Sequence, residues 1–213
     1  IGLDNVDTEA ATRQGVMVVN APQSNVLSAA EHTLALLLAQ ARNIAPAHAA
    51  LVEGRWERSK WEGVELSDKT LGIIGLGRIG RLVAQRALAF GMRLVGHDPF
   101  VSPERARQMS VEVLPLDEVL AQSDFLTLHV AKTPDTMGLI GVEALEKAKP
   151  GIRIINVARG GIIDEAALAD AVRSGHVAGA AIDVFAEEPT PESPLFGLPG
   201  VVVTPHLGAS TAE

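Results

Sequence analysis

The chain of 213 residues contains no cysteine. Disulfides and thiolate metal sites are therefore excluded, and the composition fits a reducing, cytoplasmic setting. No histidine or carboxylate spacing suggests a metal site either. Long hydrophobic runs are also missing: the longest apolar stretch, 34–39, is far too short to cross a bilayer. No signal peptide is visible. Basic clusters are absent and the net charge is -8, so the basic footprint of a nucleic-acid-binding protein is lacking. There is no internal repeat and no low-complexity tract. What remains is 47% hydrophobic and 21% charged, a globular composition on a chain long enough for a substantial core.

Residues 7–14 read as a short helix and 16–20 as a short strand. Ser28 and Glu31 form an S-x-x-E capping box that starts a helix running to about Glu53. Its middle is apolar on nearly every face, as in a helix buried all round or packed on another subunit. A loop, 55–68, carries Trp56 and Trp61, both read as packing anchors. Strand and helix then alternate. Strands are expected at 71–75, 93–97, 111–114, 125–129, 152–157, 177–183 and 201–204. Helices are expected at 78–90, 103–109, 116–122, 141–148 and 165–174. Short continuous apolar strands are buried on both faces, and this alternation predicts an α/β fold with a doubly wound parallel sheet of Rossmann type. The proline-rich segment 188–199 reads as a surface loop.

Gly75-Leu76-Gly77-Arg78-Ile79-Gly80 is a G-x-G-x-x-G loop between the first of these strands and its helix. In that context Gly75 makes the tight turn, Gly77 lets backbone approach a pyrophosphate, and Gly80 lets helix pack on strand. The amides of Arg78 and Ile79 lie at the helix N-terminus, where the dipole favours phosphate. Asp98 ends the next strand. A carboxylate there accepts both adenosine-ribose hydroxyls and repels a 2′-phosphate, which favours NAD over NADP. Arg93 and Arg105 lie near but do not replace the acid.

Three further side chains follow strands. Arg159 stands in A-R-G-G, Glu188 in D-V-F-A-E-E-P and His206 in P-H-L-G. Strands of one parallel sheet end on the same edge, so these residues can converge there. Reduction of a 2-keto acid needs a fixed cation for the carboxylate and carbonyl, a proton donor that titrates near neutrality, and a carboxylate that orients the donor. Arginine, histidine and glutamate supply these in turn. Asp183 competes with Glu188 as the partner of His206. His32, His48 and His176 read as solvated, while His97 and His129 read as lining the cofactor edge.

These motifs resemble the D-isomer-specific 2-hydroxyacid dehydrogenases over nearly the whole chain. The resemblance implies Arg159, Glu188 and His206 as the catalytic trio. It also implies cofactor contacts from Val130, Val157, Ala158, Arg159, Asp183, His206, Gly208 and Ala209, with Asp183 on the nicotinamide carboxamide. The chain reads His129-Val130-Ala131 where many relatives carry a proline two residues after the histidine. In this family the nucleotide domain is inserted into the substrate domain. Residues 1–22 would then end the first part of the substrate domain, 23–206 form the NAD-binding domain, and 207–213 begin the return. The start at Ile1 fits an excised piece of a longer protein, expected to bind NAD without robust turnover. The opening I-G-L-D-N-V-D, the N-A-P and the closing P-H-L-G-A-S-T-A-E point to 3-phospho-D-glycerate as the hydroxy acid, the first step of L-serine biosynthesis. Rival readings are a glyoxylate or hydroxypyruvate reductase and an NAD(H)-sensing corepressor-like protein. A homodimer or higher homo-oligomer is expected.

Overall fold

In the computed structural model, which describes residues 2–3, 6–21 and 23–212, the strand β1 (Thr70–Ile74) is buried at every position. It is an interior strand of a seven-stranded, wholly parallel sheet. Its companions are β2 (Arg93–His97), β3 (Glu112–Val113), β4 (Phe125–Leu128), β5 (Ile152–Asn156), β6 (Val177–Ile182) and β7 (Val201–Val203). The spatial order is β3-β2-β1-β4-β5-β6-β7. The order reverses between β1 and β4, where Ile74 is in register with His97 on one side and Leu128 on the other. A doubly wound sheet opens a crevice beyond the carboxyl ends of the strands at this point. The predicted Rossmann-type architecture is therefore the observed one.

Eight helices complete the described chain: α1 (Thr8–Arg13), α2 (Val26–Ala41), α3 (Ile44–Val52), α4 (Arg78–Ala89), α5 (Pro103–Gln108), α6 (Leu116–Gln122), α7 (Val142–Lys147) and α8 (Glu165–Arg173). Two apolar clusters lie on the two faces of the sheet. Leu71, Ile73 and Phe125 belong to the cluster that includes α2 and α4, and Ile74, Leu126 and Leu128 to the one that includes α6 and α8. Period-2 alternation of the strands divides them this way. None of the described helices is long and apolar enough to cross a membrane.

Four local expectations are corrected. Residues 16–20 form no strand, and Met17 and Val19 are largely exposed. The capping box does not form. The helix begins at Val26 with Asn25 as its N-cap, so Ser28 already lies in the first turn and its Oγ donates to the Asn25 carbonyl at 3.1 Å. The long helix to Glu53 is two helices. Asn43 adopts φ 52° between them, and its Nδ2 donates to the Glu62 carbonyl. Pro46 lies in the first turn of α3, where its missing N–H costs nothing; within one continuous helix it would break a hydrogen bond. The loop 55–68 contains a 3-10 turn, Arg58–Lys60.

Helix α2 buries Ala30, Leu34, Leu37 and Ala41 against α4 and the β5–β7 half of the sheet, so its apolar character is used within the chain. The exposed apolar surface lies further on, at Ile44, Leu51, Val52 and Trp56. Trp56 is 80% exposed, contrary to its reading as a packing residue. Ile1, Asp4, Asn5, Pro22 and Glu213, which carry part of the terminal motifs, lie outside the described residues.

Candidate active site

Each glycine of the G-x-G-x-x-G loop has a distinct steric reason. Gly75 has φ 91°, and a Cβ on it would stand 2.6 Å from the His129 carbonyl oxygen. A Cβ on Gly80 would overlap the Gly75 carbonyl oxygen, so helix α4 rests directly on the end of β1. Gly77, the N-cap of α4, faces open space: a Cβ there meets nothing within 4 Å. The loop thus presents an open backbone at a helix N-terminus, which suits a pyrophosphate. Asp98 holds the loop from the neighbouring strand. Its Oδ2 accepts from the Leu76 amide at 2.8 Å, and its Oδ1 from the Phe100 amide at 2.8 Å. Each oxygen keeps a second lone pair for a hydroxyl.

Beyond the strand ends lies a cleft of about 460 Å³, lined by Ile79, His129, Val130, Ala158, Arg159 and His206 among others. An adjoining cleft of about 590 Å³ shares Lys132, Arg159 and His206 and adds Gly160 and Glu188. Both have the size of small-ligand sites. Val157, Gly208 and Ala209 line the first cleft as well.

The end of β5 is shaped by Asn156, a buried residue that the sequence reading missed. Its Oδ1 accepts from the Ala158 amide and its Nδ2 donates to the Arg159 carbonyl, both at 3.0 Å. This clamps the turn that carries Arg159, whose Nη1 donates to the Ala158 carbonyl at 2.7 Å. The signal was present, since an amide side chain immediately before V-A-R-G-G at a strand end is a turn-former. Gly160 then presses on the segment after β6. A Cβ on it would overlap the Phe185 carbonyl oxygen, so only glycine fits. This contact sets the arginine turn against the loop that carries Glu188.

Glu188 links that loop to His206. One carboxylate oxygen accepts from the Phe185 amide at 2.8 Å, and the other lies 2.5 Å from His206 Nδ1. A carboxylate only accepts, so Nδ1 carries the hydrogen and Nε2 is the ring nitrogen left for chemistry. Both side chains are part-exposed. Among the described residues Glu188, not Asp183, is the acid whose carboxylate bonds the His206 ring.

Asp183 has no exposed surface. Its Oδ1 accepts from the Leu207 amide at 2.7 Å and from Thr204 Oγ1 at 2.5 Å, and lies 3.2 Å from His32 Nε2. Its Oδ2 accepts from the Gly208 amide at 2.8 Å. The carboxylate thus faces the 204–208 turn. Oδ2 accepts this one bond, from Gly208, among the described residues and keeps a second lone pair, as a contact with a nicotinamide carboxamide would require.

Two histidines expected in solvent are engaged instead. His32 is described above, and His176 Nε2 donates to the Leu145 and Ala148 carbonyls at 2.9 and 3.1 Å. His48 is exposed as expected. His97 Nδ1 bonds the Leu114 carbonyl, tying the end of β2 to the next segment. His129 lines the cleft, with Nε2 3.0 Å from Thr127 Oγ1. Burial away from water holds its pKa down, at about 3, so its neutral form is favoured near pH 7.

The NAD-binding domain of the D-isomer specific 2-hydroxyacid dehydrogenases matches residues 34–208. The whole chain is 62% identical over 213 residues to a D-3-phosphoglycerate dehydrogenase of Mycobacterium tuberculosis, of which it covers 40%. A D-3-phosphoglycerate dehydrogenase of Archaeoglobus fulgidus is 52% identical over 214 residues, with 41% of its length covered. Among solved structures, a protein of Thermus thermophilus superposes with a TM-score of 0.91 at 41% identity, over 99% of this chain and 67% of that one. The chain spans about two fifths of the length of the curated relatives it matches.

Proposed function

Because this chain belongs to the D-isomer specific 2-hydroxyacid dehydrogenases and carries their NAD-binding domain, we propose that the whole protein interconverts 3-phospho-D-glycerate and 3-phosphohydroxypyruvate. The reaction is the entry step of L-serine biosynthesis, in the cytoplasm. The observation that carries the chemistry is the His206–Glu188 pair beside Arg159 at the cleft. The choice of acid is supported by the identities of 52–62% to relatives that bear that activity in their names.

The fit of the cofactor rests on the open Gly77 backbone, the Asp98 carboxylate and the cleft beyond them. Gly75, Gly77, Gly80 and the Arg78 and Ile79 amides would hold the pyrophosphate. Asp98 would hold the adenosine ribose. Val130, Val157, Ala158, Gly208 and Ala209 would line the nicotinamide end, with Asp183 fixing the turn there. Bound NADH supplies the hydride that adds to C2 of the keto acid.

The chain's own side chains manage charge and proton. Arg159 binds the substrate carboxylate and polarises the C2 carbonyl, its planar guanidinium matching the two carboxylate oxygens. His206 gives the proton on Nε2 to the carbonyl oxygen as negative charge develops there. Glu188 holds Nδ1–H, fixes the tautomer and stabilises the imidazolium before transfer. Oxidation runs the same steps backwards, with neutral His206 taking the hydroxyl proton.

Residues 1–22 and 207–213 belong, in this reading, to a substrate domain completed elsewhere in the protein, and 1–213 alone binds NAD without robust turnover. The exposed apolar surface at Ile44, Leu51, Val52 and Trp56 supports a homodimer. The test is NADH consumption by the full-length protein with 3-phosphohydroxypyruvate, hydroxypyruvate, glyoxylate, pyruvate and 2-oxoglutarate. A preference for the phosphorylated acid is expected. Preference for an unphosphorylated acid moves the protein to another reaction of the family, and NADH binding without turnover of any acid makes it a sensor.

A further inference from the structure

We infer that His32 is a positioning residue for His206 and acts through Asp183. The inference rests on the reading of His206 as the proton donor. His206 sits at φ 56°, in the left-handed region that non-glycine residues rarely occupy. Such a backbone persists only where its surroundings over-determine it. Here Asp183 does so from the end of β6. Its carbonyl accepts from the His206 amide at 2.8 Å, and its carboxylate takes the amides of Leu207 and Gly208 and the Thr204 hydroxyl. These bonds hold the 204–208 turn, and with it the His206 backbone, on one residue.

A carboxylate with no exposed surface keeps its charge only where a cation or a full set of donors compensates it. His32 supplies the side chain that can do both. It reaches from α2, which packs on β6 and β7, and places Nε2 3.2 Å from Asp183 Oδ1 and 3.2 Å from Thr204 Oγ1. The hydroxyl hydrogen of Thr204 is already given to Asp183, so both atoms facing Nε2 present lone pairs. Nε2 must therefore carry a hydrogen. His32 is held in the Nε2–H tautomer or as imidazolium, and it locks Thr204 and Asp183 together at the root of the turn. Among the described residues, His32 is the one basic side chain within hydrogen-bonding distance of this carboxylate. His206 turns its own ring away, to Glu188.

The consequence is geometric. Without His32 the turn loses a donor at its buried corner, and His206 loses its fixed aim at the substrate oxygen. Misplacement of a reacting group by about 1 Å costs up to ~10²-fold in rate. The experiment uses the full-length protein with His32→Leu, which fills the space without a donor, and His32→Gln, whose amide nitrogen reaches the place of Nε2. The expected result for His32→Leu is a kcat roughly tenfold to a hundredfold lower, with KM for the keto acid and Kd for NADH little changed. His32→Gln should restore most of that loss. Equal kcat in all three proteins overturns the inference, as does a loss in which substrate affinity, NADH affinity and melting temperature fall together and His32→Gln does no better than His32→Leu. If the unsubstituted protein turns over no 2-keto acid, the functional reading fails by itself. A crystal structure of His32→Leu then decides the inference: it stands if the 204–208 turn leaves its left-handed conformation and falls if the turn is unchanged.

Discussion

At the scale of single residues, two glycines with opposite surroundings separate folding from binding. Gly160→Ala would force a methyl group onto the Phe185 carbonyl oxygen, where backbone cannot yield cheaply. The expected loss is at least about 1–3 kcal/mol of stability, the usual cost of overpacking, read as a fall in denaturation midpoint together with lost activity. Gly77→Ala meets nothing within 4 Å, so its melting temperature should stay unchanged. Its methyl would stand where the cofactor backbone approaches, and NADH binding should weaken by about tenfold or more, equivalent to about 1.4 kcal/mol by calorimetry. His129 gives a pH prediction. Its folded pKa, about 3, lies below the unfolded value, so its neutral form is favoured by folding. The associated stability is fully present above about pH 6.5 and is lost as pH falls towards 3, because the unfolded chain takes up the proton first. Denaturant unfolding from pH 7 to pH 4 should show a loss of the order of 2–3 kcal/mol in the parent that is much smaller in His129→Gln. Much of the candidate site could be read at this scale, because Arg159, Glu188 and His206 each stand in a short motif that follows a strand. Asn156 and His32 escaped because their work is to hold backbone, and a holding residue shows no chemistry until its partners are in place.

Among the elements, the strands were legible because parallel strands buried on both faces are largely apolar, as Thr70–Ile74 and Phe125–Leu128 are, each buried throughout with one threonine. The helix break at Asn43 was not, because apolar residues continue on both sides of it. The cue lay in Asn43 and Pro46: asparagine tolerates the left-handed conformation, and proline marks a first turn. Replacing Asn43 tests this account. Asn43→Ala puts an ordinary residue at φ 52° and removes the bond to the Glu62 carbonyl. It should cost about 1–2 kcal/mol in urea unfolding, while Asn43→Gly should cost less because glycine accepts that backbone. The strand expected at 16–20 failed for the converse reason. Apolar residues make a strand only where a sheet edge receives them, and among the described residues Met17 and Val19 pair with no strand.

At the scale of the molecule, alternation of strand and helix predicts the topology, since right-handed crossovers leave few ways to order a parallel sheet. The same argument brings β1, β4, β5, β6 and β7 to one edge, and with them the glycine loop, Arg159, Glu188 and His206. A contact between copies of the chain would be a matter of surface, which periodicity describes poorly; the long apolar helix, read as buried all round or packed on another subunit, is largely buried inside the chain. The exposed Val52, at the end of α3, and Trp56 beyond it give a sharper expectation. Trp56→Glu in the full-length protein should shift sedimentation from dimer towards monomer, whereas a parent protein that is monomeric at micromolar concentration would refute the assignment of this surface. The central claim is that His206, aimed by Glu188, delivers the proton in an NAD-dependent reduction at this cleft. Its most direct test compares kcat for 3-phosphohydroxypyruvate reduction and the NADH dissociation constant in the full-length protein and in His206→Gln. The account predicts a kcat lower by about 10²–10⁴-fold with NADH binding unchanged. A variant that turns over at the parent rate would contradict it.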